Sequence, residues 1–228
     1  MKNKTVVIIQ ARLGSSRFPE KVLQRIDKLT IIEIIIKRLK RSKQITDIVV
    51  ATPANKKDLK LVSFLKKRNI KVFQGPESNV LARYYKAAKK YSAKYVVRIC
   101  GDCPYIDSEL LDKMISKIKS NKYDYISNIN PPTYPDGLDL EVFTFENLKN
   151  AYKKAKNDYD KEHVTPYIIR KSNKKYNFSL KKDLSKIRLT VDESIDLKVL
   201  KNVYKKLNKS FNFKTQDFLN LIAKDKNI

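Results

Sequence analysis

The sequence has no hydrophobic run long enough to cross a membrane. A membrane-spanning helix needs about 20 apolar residues, and no stretch of the 228 residues approaches that length. The apolar run at residues 6–9 is also shorter than the ~7–15 apolar residues of a signal peptide. We therefore expect a chain that begins at Met1, stays in the cytoplasm and does not insert into a membrane. Its hydrophobic content of 42% is sufficient for a packed core.

Cysteine and histidine are scarce, which argues against zinc binding and redox chemistry. Cys100 and Cys103 have the C-x-x-C spacing found in both kinds of site. A structural zinc needs four ligands, and His163 is the sole histidine. Because a Gly-Asp pair separates the cysteines and a proline follows them, the segment is typical of a turn rather than of an activated helix N-terminus.

Glycine is scarce as well, with four residues where about 7% usage would give about 16. Such a sequence is expected to keep glycine where the backbone conformation or a close contact excludes a side chain. Gly14, Gly75, Gly101 and Gly137 all fall in predicted loops, and three of them follow the end of a predicted strand. These loops are therefore candidate parts of a functional site.

Acidic residues are few relative to basic ones, with 24 Asp and Glu against 50 Lys and Arg, so the formal net charge is +26. Lysine supplies 40 of the cations and arginine 10, scattered over nearly every predicted helix. A nucleic-acid-binding surface would cluster arginines with aromatic residues. The pattern instead favours a solvated basic surface, which can also steer anionic ligands.

Residues 1–130 alternate between the patterns of strands and helices. The predicted strands are 5–10, 47–51, 71–73, 94–99 and 123–127. The first predicted helix follows a capping box formed by Thr30 and Glu33. Two more helices are predicted at 58–67 and 78–91, and another begins after the N-cap Asp107. This repetition predicts an α/β fold with a mostly parallel sheet and helices on both faces. Because ligands bind beyond the carboxyl ends of such strands, functional loops are expected after Gln10, Ala51, Phe73 and Ile99.

The pattern changes after residue 130, where three prolines crowd one loop. A strand at 140–144, helices at 145–156 and 160–171, a strand at 188–191 and helices at 193–207 and 216–224 are predicted there. The sequence shows no repeat and no low-complexity linker. We therefore expect one domain over 1–228 with a small inserted β-rich lobe, divided into parts 1–130 and 131–210 and a polar tail at 211–228.

A loop rich in cations and small residues follows the first predicted strand. It combines two arginines and a lysine with a Gly-Ser-Ser turn: Arg12, Arg17, Lys21, Gly14, Ser15 and Ser16. Backbone N–H groups, hydroxyls and guanidinium groups are the donors that hold a polyphosphate. The loop matches neither the G-x-x-x-x-G-K-[ST] nor the G-x-G-x-x-G motif, so an ordinary basic loop stays an alternative.

Two acids lie at the ends of predicted strands further along the chain. Asp102 follows Gly101 directly, and Asp192 follows the strand predicted at 188–191. A carboxylate in this position can hold Mg²⁺ against a phosphate. Asp192 can alternatively cap a helix, and for Asp107 and Asp196 we prefer the structural role of a cap or helix-surface acid.

Six ordered segments resemble the cytidylyltransferase family, which includes spore-coat polysaccharide biosynthesis proteins and, more distantly, acylneuraminate and deoxy-octulosonate cytidylyltransferases. The segments are IIQARLGSSRFPEKVL, NVLARYY, VVRICGDCPYID, YPDGLDLEVF, EHVTPYI and RLTVDESIDL, and they cover roughly residues 6–200. Six motifs in order are far more specific than any one of them. The resemblance implies a three-layer α/β sandwich of the nucleotide-sugar transferase type, which agrees with the predicted strands and helices.

The resemblance also implies roles for individual residues. Arg12, Arg17 and Lys21 would bind the triphosphate of CTP, and Asp102 and Asp192 would hold Mg²⁺. Arg17, Lys21 and the two acids would be catalytic. The further nucleotide-binding residues would be Gln10, Ala11, Gly14, Ser15, Ser16, Asn79, Arg98 and Gly101, and the acceptor-binding residues Arg83, Asp136, Glu141 and His163. For His163, a role in helix packing stays an alternative.

Two positions depart from the family pattern. Glu20 stands where the family usually has glycine, and its carboxylate would weaken triphosphate binding if it pointed into the loop. Cys100 stands where the deoxy-octulosonate enzymes have a glutamine near the nucleotide, which leaves the choice of pyrimidine open.

The implied function is Mg²⁺-dependent transfer of CMP from CTP to an anionic sugar-type acceptor, with release of pyrophosphate, in surface polysaccharide or glycoconjugate biosynthesis. Residues 1–130 would bind the nucleotide, and 131–210 would supply acceptor-side and metal-binding groups. A homodimer is expected, and no specific nucleic acid. One alternative is a glycosyltransferase of the same fold, with Asp139 and Glu141 as a D-x-D-like metal site. The other is a nucleic-acid-binding module, which the scattered lysines disfavour.

Overall fold

A computed structural model describes residues 3–224 of the chain and confirms the α/β class with a mostly parallel sheet. The strands are β1 Thr5–Gln10, β2 Arg25–Ile26, β3 Leu29–Thr30, β4 Asp47–Pro53, β5 Lys71–Gly75, β6 Tyr95–Cys100, β7 Tyr125–Ser127, β8 Glu141–Thr144 and β9 Lys175–Asn177. The helices are α1 Ile31–Leu39, α2 Leu59–Lys66, α3 Val80–Lys90, α4 Ser108–Lys119, α5 Phe145–Lys154, α6 Asp158–His163, α7 Pro166–Lys171, α8 Ser194–Lys206 and α9 Thr215–Lys224. A 3₁₀ helix spans Lys21–Leu23.

The main sheet has seven strands in the order β5-β4-β1-β6-β8-β7-β9. The first four of these strands are mutually parallel, β8 runs antiparallel to both β6 and β7, and β9 is parallel to β7. The strands after residue 130 therefore extend the main sheet. A separate two-stranded antiparallel sheet is formed by β2 and β3.

The central strand β1 is buried on both faces, as its β-branched sequence predicts. Val7 and Ile9 belong to one hydrophobic cluster, which also takes in α1, α2, α4, α8 and Phe218 of α9. Val6 and Ile8 belong to a second cluster with α3 and α5. This alternation places the sheet between two helical layers, the three-layer arrangement expected from the sequence.

Two predicted helix starts are confirmed at the level of individual hydrogen bonds. The Thr30 hydroxyl accepts from the Glu33 N–H at 3.3 Å, and the Glu33 carboxylate accepts from the Thr30 N–H at 2.9 Å. The Asp107 carboxylate caps α4 by accepting from the N–H groups of Glu109 and Leu110. Asp107 therefore has the structural role expected for it.

The strand predicted at 188–191 is wrong. The structure has only an isolated bridge between Asp136 and Arg188 in this segment. The N–H of Leu189 donates to the Asp136 carbonyl at 2.6 Å, and the N–H of Val191 donates to the Asp102 carbonyl at 2.9 Å. Because these bonds go to two different loops, the segment ties loops together rather than extending the sheet.

The single helix predicted at 160–171 is also wrong, since the chain forms α6 and α7 with a break between them. Val164 at the break has a φ of 71°, outside the helical region. Pro166 is the first residue of α7. Proline lacks the N–H that would continue the hydrogen bonds of the earlier helix and suits the first position of a new one, so Pro166 favours a break at this point.

The segment predicted as a polar tail is anchored to the core over its described part. Phe211, Phe213 and Phe218 are buried. The Arg38 guanidinium, itself 2% exposed, donates to the carbonyls of Phe211 and Phe213 at 2.6 and 3.0 Å. Residues 225–228 of the predicted tail lie outside the described residues. None of the helices within 3–224 has both the length and the apolar character needed to cross a membrane.

Candidate functional site

A cleft of about 890 Å³ lies at the carboxyl ends of β1 and β6, within the size range of small-molecule sites. Thirteen of the residues predicted for the site line it: Gln10, Ala11, Arg12, Ser15, Ser16, Arg17, Lys21, Asn79, Arg83, Gly101, Asp102, His163 and Asp192. Gly14, Arg98, Asp136 and Glu141 do not line it. The loops expected after β1 and β6 thus meet at one site.

Gly101 brings the end of β6 against the end of β1. Its N–H donates to the Gln10 carbonyl at 2.9 Å. A Cβ atom at this position would lie 2.8 Å from the same carbonyl oxygen and 3.1 Å from the Cβ of Ala11. Glycine is therefore required for the close approach that sets Asp102 beside the loop after β1.

The loop after β1 is held in place by Asp58, the first residue of the helix predicted at 58–67. The Asp58 carboxylate, 1% exposed, accepts from the Leu13 N–H at 2.6 Å. The Leu13 carbonyl accepts from the N–H groups of Ser15 and Glu20 at 2.9 and 3.0 Å. This folds residues 11–20 into a compact bend. A buried acid at the start of α2 is indistinguishable from an ordinary cap in the sequence, so its role was missed.

Lys21 joins the two predicted metal ligands. Its Nζ lies 2.7 Å from Oδ2 of Asp102 and 2.9 Å from Oδ1 of Asp192. Lys21 is 81 residues from one acid and 171 from the other along the chain. The structure therefore brings together the cationic loop and the two acids as expected from the sequence.

The position of Asp192 depends on contacts between backbones. The hydrogen bond from Val191 N–H to the Asp102 carbonyl joins the two acidic loops directly. Behind them, Gly137 adopts a φ of +101°, and a Cβ there would lie 2.5 Å from the carbonyl carbon of Leu189. Only glycine combines this conformation with this contact, so Gly137 sets the path of the chain into Asp192.

The electrostatics of the cluster favour the charged forms of Lys21 and Asp192. Burial lowers the pKa of the Lys21 ammonium, but the charges of and hydrogen bonds to Asp102 and Asp192 outweigh it and raise the pKa above its usual value. Burial alone would raise the pKa of Asp192, but the hydrogen bond to Lys21 and the charges of Lys21 and Arg17 outweigh burial and lower the pKa below its usual value. Arg17 and Arg188 approach the Asp192 carboxylate at 3.3 and 3.2 Å.

The pair Asp102 and Asp192 is chemically suited to Mg²⁺. Within residues 3–224 no group of three or more Asp, Glu, His or Cys side chains forms a ready-made metal site. Mg²⁺ is usually bound by one or two carboxylates, with waters and substrate phosphates completing the octahedron. Two acids beside a cationic loop at the edge of an open cleft fit that donor set.

Glu141, predicted to bind the acceptor, is instead engaged inside the protein. Its side chain is 1% exposed. One carboxylate oxygen accepts from Arg98 at 2.5 Å, and the other accepts from the Tyr125 hydroxyl at 2.7 Å. Arg98 and Glu141 are paired across β6 and β8. This geometry leaves neither side chain facing the cleft.

Asp136 lies near the acidic pair and Asp139 lies near Asp136 and Glu141, and neither of them lines the cleft. Burial, with the charges of Asp192 and Asp102, raises the pKa of Asp136 above its usual value. Burial and the charges of Asp136 and Glu141 raise the pKa of Asp139 to about 7. Because Glu141 is buried and paired, Asp139 and Glu141 do not form the exposed two-carboxylate site that a D-x-D-like metal centre needs.

The opposite wall of the cleft comes from α3 and α6. The Asn79 side chain caps α3 by accepting from the Ala82 N–H at 2.8 Å, and Arg83, 3% exposed, donates to the Pro76 carbonyl at 2.6 Å. His163 is exposed and its ring lies 4.5 Å from that of Tyr159, so it is not a buried packing residue.

Several residues that line the cleft were not named as site residues: Val22, Glu77, Ser78, Val80, Cys100, Asp158, Lys161 and Glu162. Glu77 and Ser78 lie in the loop that was expected to be functional after Phe73, and the resemblance already placed Cys100 near the nucleotide. Those on α6 share a helix with His163. Their signal in the sequence was the motif around His163, but the start of α6 was placed two residues too late to include Asp158.

Cys100 and Cys103 are free thiols, of which Cys103 is buried and Cys100 is partly buried at the cleft. Burial raises the pKa of the Cys100 thiol to about 12 and raises the pKa of Cys103 as well. A protonated thiol is a poor nucleophile and a poor metal ligand. The C-x-x-C segment forms the turn that its sequence context favours. Gly101 within this segment sets Asp102 beside the loop after β1.

Glu20 points away from the cleft. Its carboxylate binds Nζ of Lys60 at 2.6 Å, and Glu20 is not among the cleft-lining residues. Its backbone has a φ of 55° and a ψ of 22°, the left-handed conformation that suits glycine. The glycine usual in the family therefore matches the backbone, and Glu20 retains that conformation with its charge turned outward.

We expect Glu20→Gly to be more stable than Glu20→Ala by about 0.5–1 kcal/mol. Both variants lose the ion pair with Lys60, so the difference between their free energies of unfolding reports only the cost of the left-handed backbone conformation at residue 20. A side chain in the left-handed region costs about 1–2 kcal/mol, partly offset by the greater freedom of glycine in the unfolded chain. Thermal unfolding should show a melting temperature about 1–4 °C higher for Glu20→Gly. Equal or reversed stabilities would contradict the left-handed assignment.

Comparison with known proteins places the chain in a family. The cytidylyltransferase family profile matches residues 6–219. The chain is 41% identical over 223 residues to the Uncharacterized protein MJ1063 of Methanocaldococcus jannaschii, covering 96% of this chain and 89% of that one. It is 30% identical to the Spore coat polysaccharide biosynthesis protein SpsF of Bacillus subtilis, covering 98% and 95%.

Solved structures of known proteins share the fold of this chain. A cytidylyltransferase from Leptospira borgpetersenii superimposes with a TM-score of 0.91 at 33% identity, covering 98% of this chain and 95% of that one. A CMP:2-keto-3-deoxy-manno-octonic acid synthetase complexed with CTP shares the fold, with a TM-score of 0.66 at 15% identity, covering 89% and 99%. The chain belongs to the cytidylyltransferase family and is a nucleotidyltransferase.

Proposed function

We propose that the protein transfers CMP from CTP to an anionic sugar-type acceptor and releases pyrophosphate, with Mg²⁺ held by Asp102 and Asp192. The observation that carries the proposal is the meeting of Lys21 with both acids at the edge of the cleft. An acceptor oxygen would attack the α-phosphorus as the bond to the bridging α–β oxygen breaks and pyrophosphate leaves. Such a transfer needs positioning and charge neutralisation more than covalent catalysis by the protein.

The loop after β1 supplies groups suited to the triphosphate. Arg12 and Arg17 are exposed on it, and Lys21 ends it. A Cβ at Gly14 would meet no atom within 4 Å, so the fold does not require glycine there and phosphates have room to approach the backbone. Arg17 and Lys21 would bind the departing pyrophosphate and stabilise its charge. When bound by Asp102 and Asp192, Mg²⁺ supplies Lewis-acid stabilisation of phosphoryl oxygens.

The relatives support the nucleotide and the class of acceptor. The octonic acid synthetase of the same fold was solved with CTP, and its name includes an acidic sugar. SpsF is named for spore coat polysaccharide biosynthesis, which supports a role in surface polysaccharide or glycoconjugate synthesis. Free cysteines are typical of reducing compartments, so we expect the enzyme to act in the cytoplasm. A homodimer stays a prediction.

The proposal is tested by incubating the protein with each nucleoside triphosphate, Mg²⁺ and a panel of anionic sugars, with pyrophosphate as the readout. We expect pyrophosphate release that requires CTP, an acceptor and Mg²⁺, and that stops when EDTA removes the metal. A glycosyltransferase would instead consume a preformed nucleotide sugar and release no pyrophosphate. That result, or release with every nucleotide but CTP, would overturn the proposal.

A further inference from the structure

The Lys21 ammonium occupies the position between two carboxylates at which a divalent cation would be held. Its Nζ contacts one oxygen of Asp102 at 2.7 Å and one oxygen of Asp192 at 2.9 Å. The Lys21 side chain is 14% exposed, and the two carboxylates are 26% and 22% exposed. The lysine is therefore seated in the acidic pair rather than extended into the cleft.

Each oxygen of the two acids has a donor in this arrangement. The second oxygen of Asp102 accepts from the Cys103 thiol at 3.5 Å. The second oxygen of Asp192 accepts from Arg188 at 3.2 Å, while the first also contacts Arg17 at 3.3 Å. A divalent cation that binds both carboxylates must first displace Lys21 from them. Water alone gives the displaced ammonium no equivalent partner.

A triphosphate does give Lys21 a new partner. Lys21 lies at the end of the cationic loop that also carries Arg12 and Arg17, and all three line the cleft. Its four-carbon stem is flexible and its ammonium can bind carboxylate or phosphate. Phosphates in the cleft would therefore draw Lys21 and Arg17 away from the acids and leave the carboxylates to a metal ion.

We propose that Lys21 keeps the pair of Asp102 and Asp192 closed to divalent cations until a nucleoside triphosphate binds. Metal and nucleotide then bind cooperatively at one site, each favouring the state in which Lys21 has left the acids. The inference rests on the proposed function, which assigns Mg²⁺ to these carboxylates. Lys21 acts here as a positioning residue, distinct from its proposed contact with pyrophosphate.

The test measures binding of Mn²⁺, a paramagnetic substitute for Mg²⁺, to the nucleotide-free protein by electron paramagnetic resonance. We expect Lys21→Met to bind Mn²⁺ at least about tenfold more tightly than the wild type, within the usual 5–150-fold range of coupling between sites. Methionine keeps most of the length of the unbranched side chain and removes the terminal ammonium with its charge. Lys21→Gln serves as a second uncharged variant, with melting temperatures confirming that both fold.

Two controls isolate the role of the cation. Lys60→Met removes the same charge from an exposed lysine outside the cleft and should leave Mn²⁺ binding unchanged. Lys21→Met combined with Asp192→Asn should lose the gained affinity, because one of the two carboxylates is gone. If the gain in affinity came from a general change in surface charge, Lys60→Met would also bind Mn²⁺ more tightly than the wild type.

The outcomes separate the inference from the proposed function. Equal nucleotide-free Mn²⁺ affinity in the wild type and Lys21→Met would overturn the inference, and the proposed function would stand if the wild type still released pyrophosphate from CTP. If neither uncharged variant gained Mn²⁺ affinity and Asp102→Asn and Asp192→Asn retained full Mg²⁺-dependent activity, both the inference and the assignment of the metal ligands would fail.

Discussion

Replacement of Lys21 by alanine is expected to lower turnover by at least about 10²-fold, the scale of losing one electrostatic stabiliser of a transition state. This corresponds to about 2.7 kcal/mol of activation free energy. The proposed reaction builds negative charge on the departing pyrophosphate, and Lys21 is the cation of the loop that lies deepest between the two acids. The loss should appear in kcat, because the charge grows in the transition state.

The measurement is the steady-state rate of CTP-dependent pyrophosphate release at saturating substrate. Lys60→Ala is the matched control, since Lys60 is 64% exposed and pairs with Glu20 outside the cleft; it should retain the wild-type rate. A Lys21→Ala enzyme with near-normal kcat would falsify the assignment of this loop to the phosphates. A rise in KM alone would restrict Lys21 to ground-state binding.

Glu141→Ala is expected to lower the free energy of unfolding by about 3–5 kcal/mol, the cost of removing one partner from a buried ion pair. Arg98 would keep its charge in a largely buried site, with its side chain 14% exposed and its partner gone. The Tyr125 hydroxyl would lose its acceptor as well. Urea unfolding of both proteins gives the difference directly.

A double variant separates the ion pair from the packing. Arg98→Met combined with Glu141→Leu removes both charges and keeps side-chain volume, and we expect it to be more stable than Glu141→Ala. The same variants test the acceptor-binding role predicted for Glu141. Glu141→Gln with unchanged stability but a much higher KM for the acceptor would show that the carboxylate serves the substrate instead.

The parts of the fold that were predictable are those set by local sequence. The run at β1 and the capping box at Thr30 each carry their signal within a few residues, and the structure reproduces both. The location of the site was predictable for a related reason. Parallel strands end at one edge of the sheet, so loops after β1 and β6 must meet wherever those strands are neighbours.

The parts that could not be predicted depend on register and on distant contacts. The family resemblance predicted that Glu141 binds the acceptor, but its partner is fixed by the antiparallel register of β6 and β8. That register places Arg98 opposite it, and nothing near either residue in the sequence specifies the pairing. Likewise, the Glu20 side chain points away from the cleft because it pairs with Lys60, which lies 40 residues away in the sequence.

The separation of Lys21 from Asp192 has a consequence for the protein during its synthesis. A ribosome that has released the first 130 residues has delivered the bend after β1 and Asp102, but not the acid that completes the cluster. A nascent chain therefore lacks the complete proposed metal site until residue 192 emerges. Its competence as an enzyme would begin only when the segment that carries Asp192 has folded against Lys21 and Asp102.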